Sequence, residues 1–192
     1  KFAHIHFPAC AEARDRIIKL GERPETVHLV GCPRMDLVVD ILRSNGSALT
    51  GDLFGEGVGE SFDLARPFLM VSQHPVTTEY GEGDKQMTST LEAVTEVGLP
   101  ALVFWPNADA GSEDVARGIR RFRERYPHSG FHFFKNLPTD AYITLMTRTA
   151  CLIGNSSSAI REGPLIGTPA VNIGSRQDQR QRGSNVLDVE HD

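Results

Sequence analysis

Chemistry in this chain concentrates in five short polar segments: QHPVTTE at 73–79, PNADAG at 106–111, KNLP at 135–138, GNSSS at 154–158 and GSRQ at 174–177. His74 precedes a proline, which holds the histidine backbone extended and fixes the loop. An imidazole there can donate to a phosphate oxygen, or serve as an acid or base near neutral pH. The plain alternative is a loop histidine bonded to backbone. Ser156, Ser157 and Ser158 place hydroxyls at an expected helix start, where free backbone N–H groups suit a phosphate. Simple N-capping uses the same oxygens. Glu162, one turn further on, has acceptor sites for two vicinal ribose hydroxyls; the alternative is an exposed surface pair with Arg161. Arg176, Arg180 and Arg182 either face an anion or form a solvated basic loop. Asn107 and Asp109 are turn formers by default.

Several chemistries lack their signatures. The GNSSS segment is not a P-loop, no G-x-G-x-x-G follows an expected strand, and no H-E-x-x-H or paired C-x-x-C occurs. No G-x-S-x-G supports a hydrolase triad. His4 and His6 alternate on an extended segment, but two histidines without a third nearby ligand do not make a metal site. The sequence calls for no cofactor.

These segments need elements to hold them. Expected strands at 68–72, 101–105, 131–134, 151–153 and 170–173 each run directly into one of the five segments. Expected helices follow at 87–97, 112–125, 139–148 and from GNSSS to about 166, and a last short strand at 186–189. Strand–loop–helix repeated this often predicts an α/β fold with a parallel sheet covered by helices on both faces. The strands are continuous apolar runs, as burial on both faces requires. Ligands of such sheets bind beyond the carboxyl ends of the strands, where all five segments fall. Before this region, helices are expected at 9–21 and 34–43, with a short strand at 27–30 between them. Residues 44–66, rich in glycine and serine, read as a linker.

Composition narrows the function classes. Of 192 residues, 40% are apolar and 23% charged, a globular balance. The net charge of −5 argues against a general nucleic-acid binder, which needs a basic face. No apolar run approaches the length needed to span a bilayer, and the first residues lack a signal peptide's apolar core. Three scattered cysteines fit a reducing cytoplasmic setting. The chain starts at Lys1 and stops just after an expected strand, so a longer parent protein is expected.

Taken together, the segments HFPACAEARDRIIKLGE, VGCPRMD, QHPVTTE, FWPNADAGSED, CLIGNSSSAIRE, GTPAVNIGSRQ and RGSNVLDV resemble the hydrolysing UDP-N-acetylglucosamine 2-epimerases, especially their sialic-acid pathway branch. The resemblance covers nearly the whole chain apart from 44–66, in the family's order. It implies a GT-B architecture of two Rossmann-like domains with the active site between them. Residues 1–43 would be the tail of the first domain, and 67–192 most of the UDP-binding domain. It implies that His74 is the active-site histidine beside the diphosphate, and that Asn107 is a polar cleft residue. Ser156 and Ser157 would bind phosphate, Glu162 the ribose, and Arg176 the nucleotide region. Uracil would pack against the backbone around Asn136 and Leu137. The implied reaction converts UDP-N-acetylglucosamine to N-acetylmannosamine and UDP by elimination and addition, in a full-length homo-oligomer. The acid and base carboxylates would lie in the first domain, outside this chain. A UDP-sugar glycosyltransferase of the same fold and a non-catalytic UDP-binding module are the competing readings.

Overall fold

The structure, a computed structural model, describes residues 2–44 and 53–191. Seven strands form one sheet: β1 (Val58–Gly59), β2 (Leu69–Ser72), β3 (Ala101–Phe104), β4 (Phe131–Phe134), β5 (Cys151–Gly154), β6 (Ala170–Ile173) and β7 (Val186–Val189). Their order is β1-β4-β3-β2-β5-β6-β7, and every pairing is parallel except β1 with β4. The Rossmann-like reading of the sequence therefore holds.

Successive strand residues point to opposite faces, and the two faces carry separate cores. Leu69, Val71 and Val103 face α3 (Gly83–Val97) and α4 (Ser112–Arg125), which contribute Met87, Leu91, Ile119 and Phe122. Met70, Leu102, Phe104 and Phe134 face the other way. There they meet α2 (Pro33–Arg43) and α5 (Thr139–Met146) through Val38, Ile41, Ile143 and Leu145. The helices form because their apolar residues recur at helical spacing and so bury one stripe. The α2 helix, which the sequence reading assigned to a preceding domain's tail, thus packs on this sheet. A further helix, α1 (Ala11–Lys19), has no buried residue.

Three expectations change. Residues 27–30 form no strand: Val27 makes a single parallel bridge with His6, while Leu29 and Val30 are exposed and only the Val30 N–H reaches on, to the Pro8 carbonyl at 3.3 Å. The helix after GNSSS is two four-residue turns, α6 (Ser158–Arg161) and α7 (Gly163–Ile166). Pro164, which lacks an N–H, falls at that break and interrupts the helical ladder. Of the linker segment 44–66, residues 45–52 lie outside the described residues. The remainder docks on the sheet: β1 pairs along β4, and Phe54 meets Phe62 edge to face at 5.2 Å beside the core. That segment covers the β4 edge, which would otherwise present unpaired backbone groups.

Candidate functional site

Strand order reverses between β2 and β5, and ligands of open α/β sheets bind at such a point. A cleft of about 290 Å³ lies there. Its walls come from the loops after β2, β3, β4, β5 and β6, together with Arg34 from α2.

The two central loops are tied by one side chain. Asn155 is fully buried; its Oδ1 accepts the His74 N–H at 2.7 Å and its Nδ2 donates to the His74 carbonyl at 2.8 Å. The Asn155 carbonyl accepts from Arg176 Nη1 at 3.1 Å and from Gln177 Nε2 at 2.7 Å, which fixes the loop after β6. Glycine at 154 makes this approach sterically allowed. Its φ is +122°, and a Cβ there would lie 2.4 Å from the Ser72 carbonyl oxygen. That carbonyl accepts both the Asn155 and Ser156 N–H groups at 3.2 Å.

His74 is 6% exposed, and the bonds to its ring define its proton. The Asn107 backbone N–H donates to Nδ1 at 3.1 Å. A backbone N–H is only a donor, so Nδ1 is unprotonated and the neutral ring carries its proton on Nε2. Nε2 lies 3.4 Å from Ser72 Oγ. Burial foremost, and then the Arg176 guanidinium, lower the imidazole pKa from 6.5 to about 4, against a smaller opposing effect of Asp109. At neutral pH the ring is therefore an uncharged hydrogen-bond donor through Nε2. Asn107 forms the turn expected of it, its carbonyl accepting the Asp109 N–H at 2.8 Å, and its own backbone N–H, which the sequence did not point to, orients the histidine.

Across the cleft stand the serines. Ser156 Oγ is 3.1 Å from Ser158 Oγ, and the Ser158 N–H reaches Ser156 Oγ at 3.4 Å. Ser157 makes no side-chain cap. With only one turn in α6, little macrodipole accumulates, so hydroxyls rather than a helix dipole must serve an anion. Arg176 reaches Asp109 at 3.4 Å as well as the Asn155 carbonyl, and its side chain lines the cleft.

Glu162 is set back from the cleft wall. It is 2% exposed, not the exposed surface pair that was one reading of it. Its Oε1 pairs with Arg34 Nε at 3.2 Å and Arg161 Nη2 at 3.0 Å, while its Oε2 has no partner among the described residues. Arg34 lies at the cleft wall in front of it. Asn136 and Leu137 line the cleft, and the Leu137 N–H is already bonded to Asn136 Oδ1 at 2.9 Å.

Seven of the eight residues to which the resemblance gives a role thus line one cleft: His74, Asn107, Asn136, Leu137, Ser156, Ser157 and Arg176; Ser158 joins them, while Asp109, Arg180 and Arg182 do not. The eighth, Glu162, is reached through Arg34. Sequence reasoning missed Arg34, Ser72, Tyr142 and the buried Asn155. Asn155 stood inside a noticed motif, yet asparagine between glycine and serine reads as an ordinary turn residue.

Known proteins resemble this chain in sequence and in fold. The family model described as UDP-N-acetylglucosamine 2-epimerase matches residues 1–192. A UDP-N,N'-diacetylbacillosamine 2-epimerase (hydrolyzing) of Legionella pneumophila is 30% identical over 190 residues, covering 99% of this chain and 48% of the relative. A UDP-N-acetylglucosamine 2-epimerase of Neisseria meningitidis is 28% identical over 193 residues, covering 100% of this chain and 48% of the relative. The chain spans about half the length of these curated relatives. Among solved structures, the UDP-GlcNAc 2-epimerase of Methanocaldococcus jannaschii in complex with UDP-GlcNAc and UDP has the same fold. Its TM-score is 0.71 at 10% identity, over 98% of this chain and 51% of that one. Matched by the family model from first residue to last, the chain belongs to the UDP-N-acetylglucosamine 2-epimerase family.

Proposed function

We propose that this chain supplies the UDP-binding side of an epimerase cleft, as the C-terminal half of a two-domain GT-B protein. That protein is a cytoplasmic homo-oligomer that converts UDP-N-acetylglucosamine and water to N-acetylmannosamine and UDP. The observation that carries the reading is the convergence of His74 Nε2–H with the serine hydroxyls at the switch point of the sheet. No helix among the described residues is long and apolar enough to cross a membrane. Residues 1–43 would be the tail of the other domain and 44–66 the connection from it, its part after residue 52 docked on this sheet.

In the proposed reaction, a base removes the proton on carbon 2 of the sugar and the carbon 1–oxygen bond to the diphosphate breaks. UDP departs with the electron pair, leaving a 1,2-unsaturated sugar. Water then adds at carbon 1 and a proton returns to the opposite face of carbon 2. This chain's task is the departing charge. His74 donates Nε2–H to a diphosphate oxygen, and Ser156 and Ser157 add hydroxyl donors aimed at the same charge. A neutral donor suits this role, because it stabilises the growing charge without giving up its proton. Glu162 takes the ribose hydroxyls from behind Arg34, its Oε2 having no partner among the described residues. Arg176 braces the nucleotide loop, and Asn136 and Leu137 offer the wall for uracil. The hydrolysing outcome draws support from the Legionella relative's name.

Calorimetric titration of UDP into the chain, with ADP as control, tests the binding role. Selective UDP binding is expected, and equal affinity for ADP refutes it. Incubating the full-length protein with UDP-N-acetylglucosamine and following products by NMR tests the reaction. Release of N-acetylmannosamine with UDP is expected; transfer of the sugar to an added acceptor, or no sugar chemistry, refutes it.

A further inference from the structure

Tyr142 sits on α5, and its ring packs edge to face on Phe104, with centroids 5.1 Å apart. The ring is partly exposed, but its hydroxyl oxygen is fully enclosed and makes no well-formed hydrogen bond among the described residues. The hydroxyls of Ser158, Ser156 and Ser72 surround it closely enough to act on its proton, yet none of them completes a hydrogen bond of good distance and angle with it. Ser72 Oγ in turn lies 3.4 Å from His74 Nε2. An enclosed phenol without a well-formed hydrogen bond costs stability, and such a group in a native site calls for an explanation.

We propose that Tyr142 is a ligand-binding residue whose hydroxyl donates to a phosphate oxygen of a nucleoside diphosphate, closing a hydroxyl cage with Ser72, Ser156 and Ser158. The inference rests on the nucleotide-sugar reading above and deepens it. The charge around the cage selects an anion over a sugar hydroxyl. Arg34, Lys135 and Arg176 line the same cleft; Glu162 and Asp109 pair with Arg34 and Arg176 from behind, and no aspartate or glutamate among the described residues lines it. Phosphate oxygens only accept, and every hydroxyl of the cage can donate, as can His74 Nε2. Burial raises the phenol pKa above its ordinary value, so the proton to be donated is retained at neutral pH. The ring's contact with Phe104 holds the hydroxyl in place before the ligand arrives, so little ordering is lost on binding.

The experiment compares the chain with Tyr142→Phe, titrating UDP and uridine by calorimetry and measuring thermal unfolding without ligand. Phenylalanine keeps the ring and removes only the oxygen. The expected result is about a tenfold or greater loss of UDP affinity, the scale of a hydrogen bond to a charged group. Uridine affinity should be unchanged, and the unfolding temperature unchanged or higher, because a hydroxyl without a well-formed hydrogen bond has been removed from an enclosed position. UDP affinity equal to that of the unsubstituted chain overturns the proposal and leaves the nucleotide reading standing. An equal loss for UDP and uridine together with a lower unfolding temperature overturns it in favour of a packing role. If the unsubstituted chain binds neither ligand, both readings fall together.

Discussion

Replacing His74 with asparagine should flatten the acid limb of the stability curve by an amount the structure sets. The imidazole pKa is lowered from 6.5 to about 4 by burial and by Arg176. At about 1.4 kcal/mol for each tenfold change in proton affinity, the depression corresponds to about 3 kcal/mol. The direction follows from linkage. Above pH 6.5 the ring is neutral in both folded and unfolded chains, and it contributes no pH dependence. Between pH 6.5 and 4 the unfolded chain takes up a proton that the folded chain refuses, so stability falls as pH falls. Below pH 4 both forms are protonated and the loss is complete. Asparagine is the substitution of choice because its amide oxygen can stand where Nδ1 accepts the Asn107 N–H. Urea unfolding of both proteins between pH 7 and pH 4 isolates this one titration, because every other ionisable group is common to the pair. The original chain should lose about 3 kcal/mol more than the variant across that range. Parallel curves would refute the argument, since they would mean that the ring titrates alike folded and unfolded.

Other outcomes follow from the same contacts. Arg176→Ala should raise the His74 pKa while leaving it below 6.5, because burial is the larger cause; proton NMR titration of the ring reads this directly, and an unmoved or lowered value contradicts it. Glu162→Ala should weaken UDP binding by about 1–3 kcal/mol by calorimetry, the scale of lost hydrogen bonds to a charged group; unchanged affinity removes the ribose assignment. Asn155→Ala should destabilise the fold by about 2–4 kcal/mol in urea, because it orphans both the N–H and the carbonyl of His74; a loss under about 0.5 kcal/mol, the range of an ordinary surface substitution, would show that the two loops are held otherwise.

The parts of the site legible in the sequence were those whose chemistry and position coincide. His74, Asn107, Ser156 and Arg176 each directly follow a continuous apolar strand, and parallel topology gathers such positions at one edge without knowledge of the packing. Arg34 was not legible, because its pairing with Glu162 joins residues 128 apart through a helix packed onto the sheet from outside its repeating pattern. Tyr142 was hidden for the opposite reason. It occupies an ordinary place on an apolar helix, and only the three-dimensional arrangement shows its oxygen among serines. The break at Glu162 was signalled by Pro164, but a proline in the first turn reads equally well as the start of a helix.

The clasp between Asn155 and His74 also orders events in time. It joins residues 81 apart, and it forms only when β5 pairs beside β2, after β3, β4 and three helices have emerged between them. Contacts of such separation carry the loop-closure cost of the whole intervening chain and so are slow to form. A chain growing on the ribosome would complete β2 long before the partner that shapes its loop exists. Until β5 arrives, the His74 backbone has no clasp, and only the Asn107 N–H that follows β3 is there to orient the imidazole. Capacity to bind the ligand is therefore acquired at the end of folding rather than along the way.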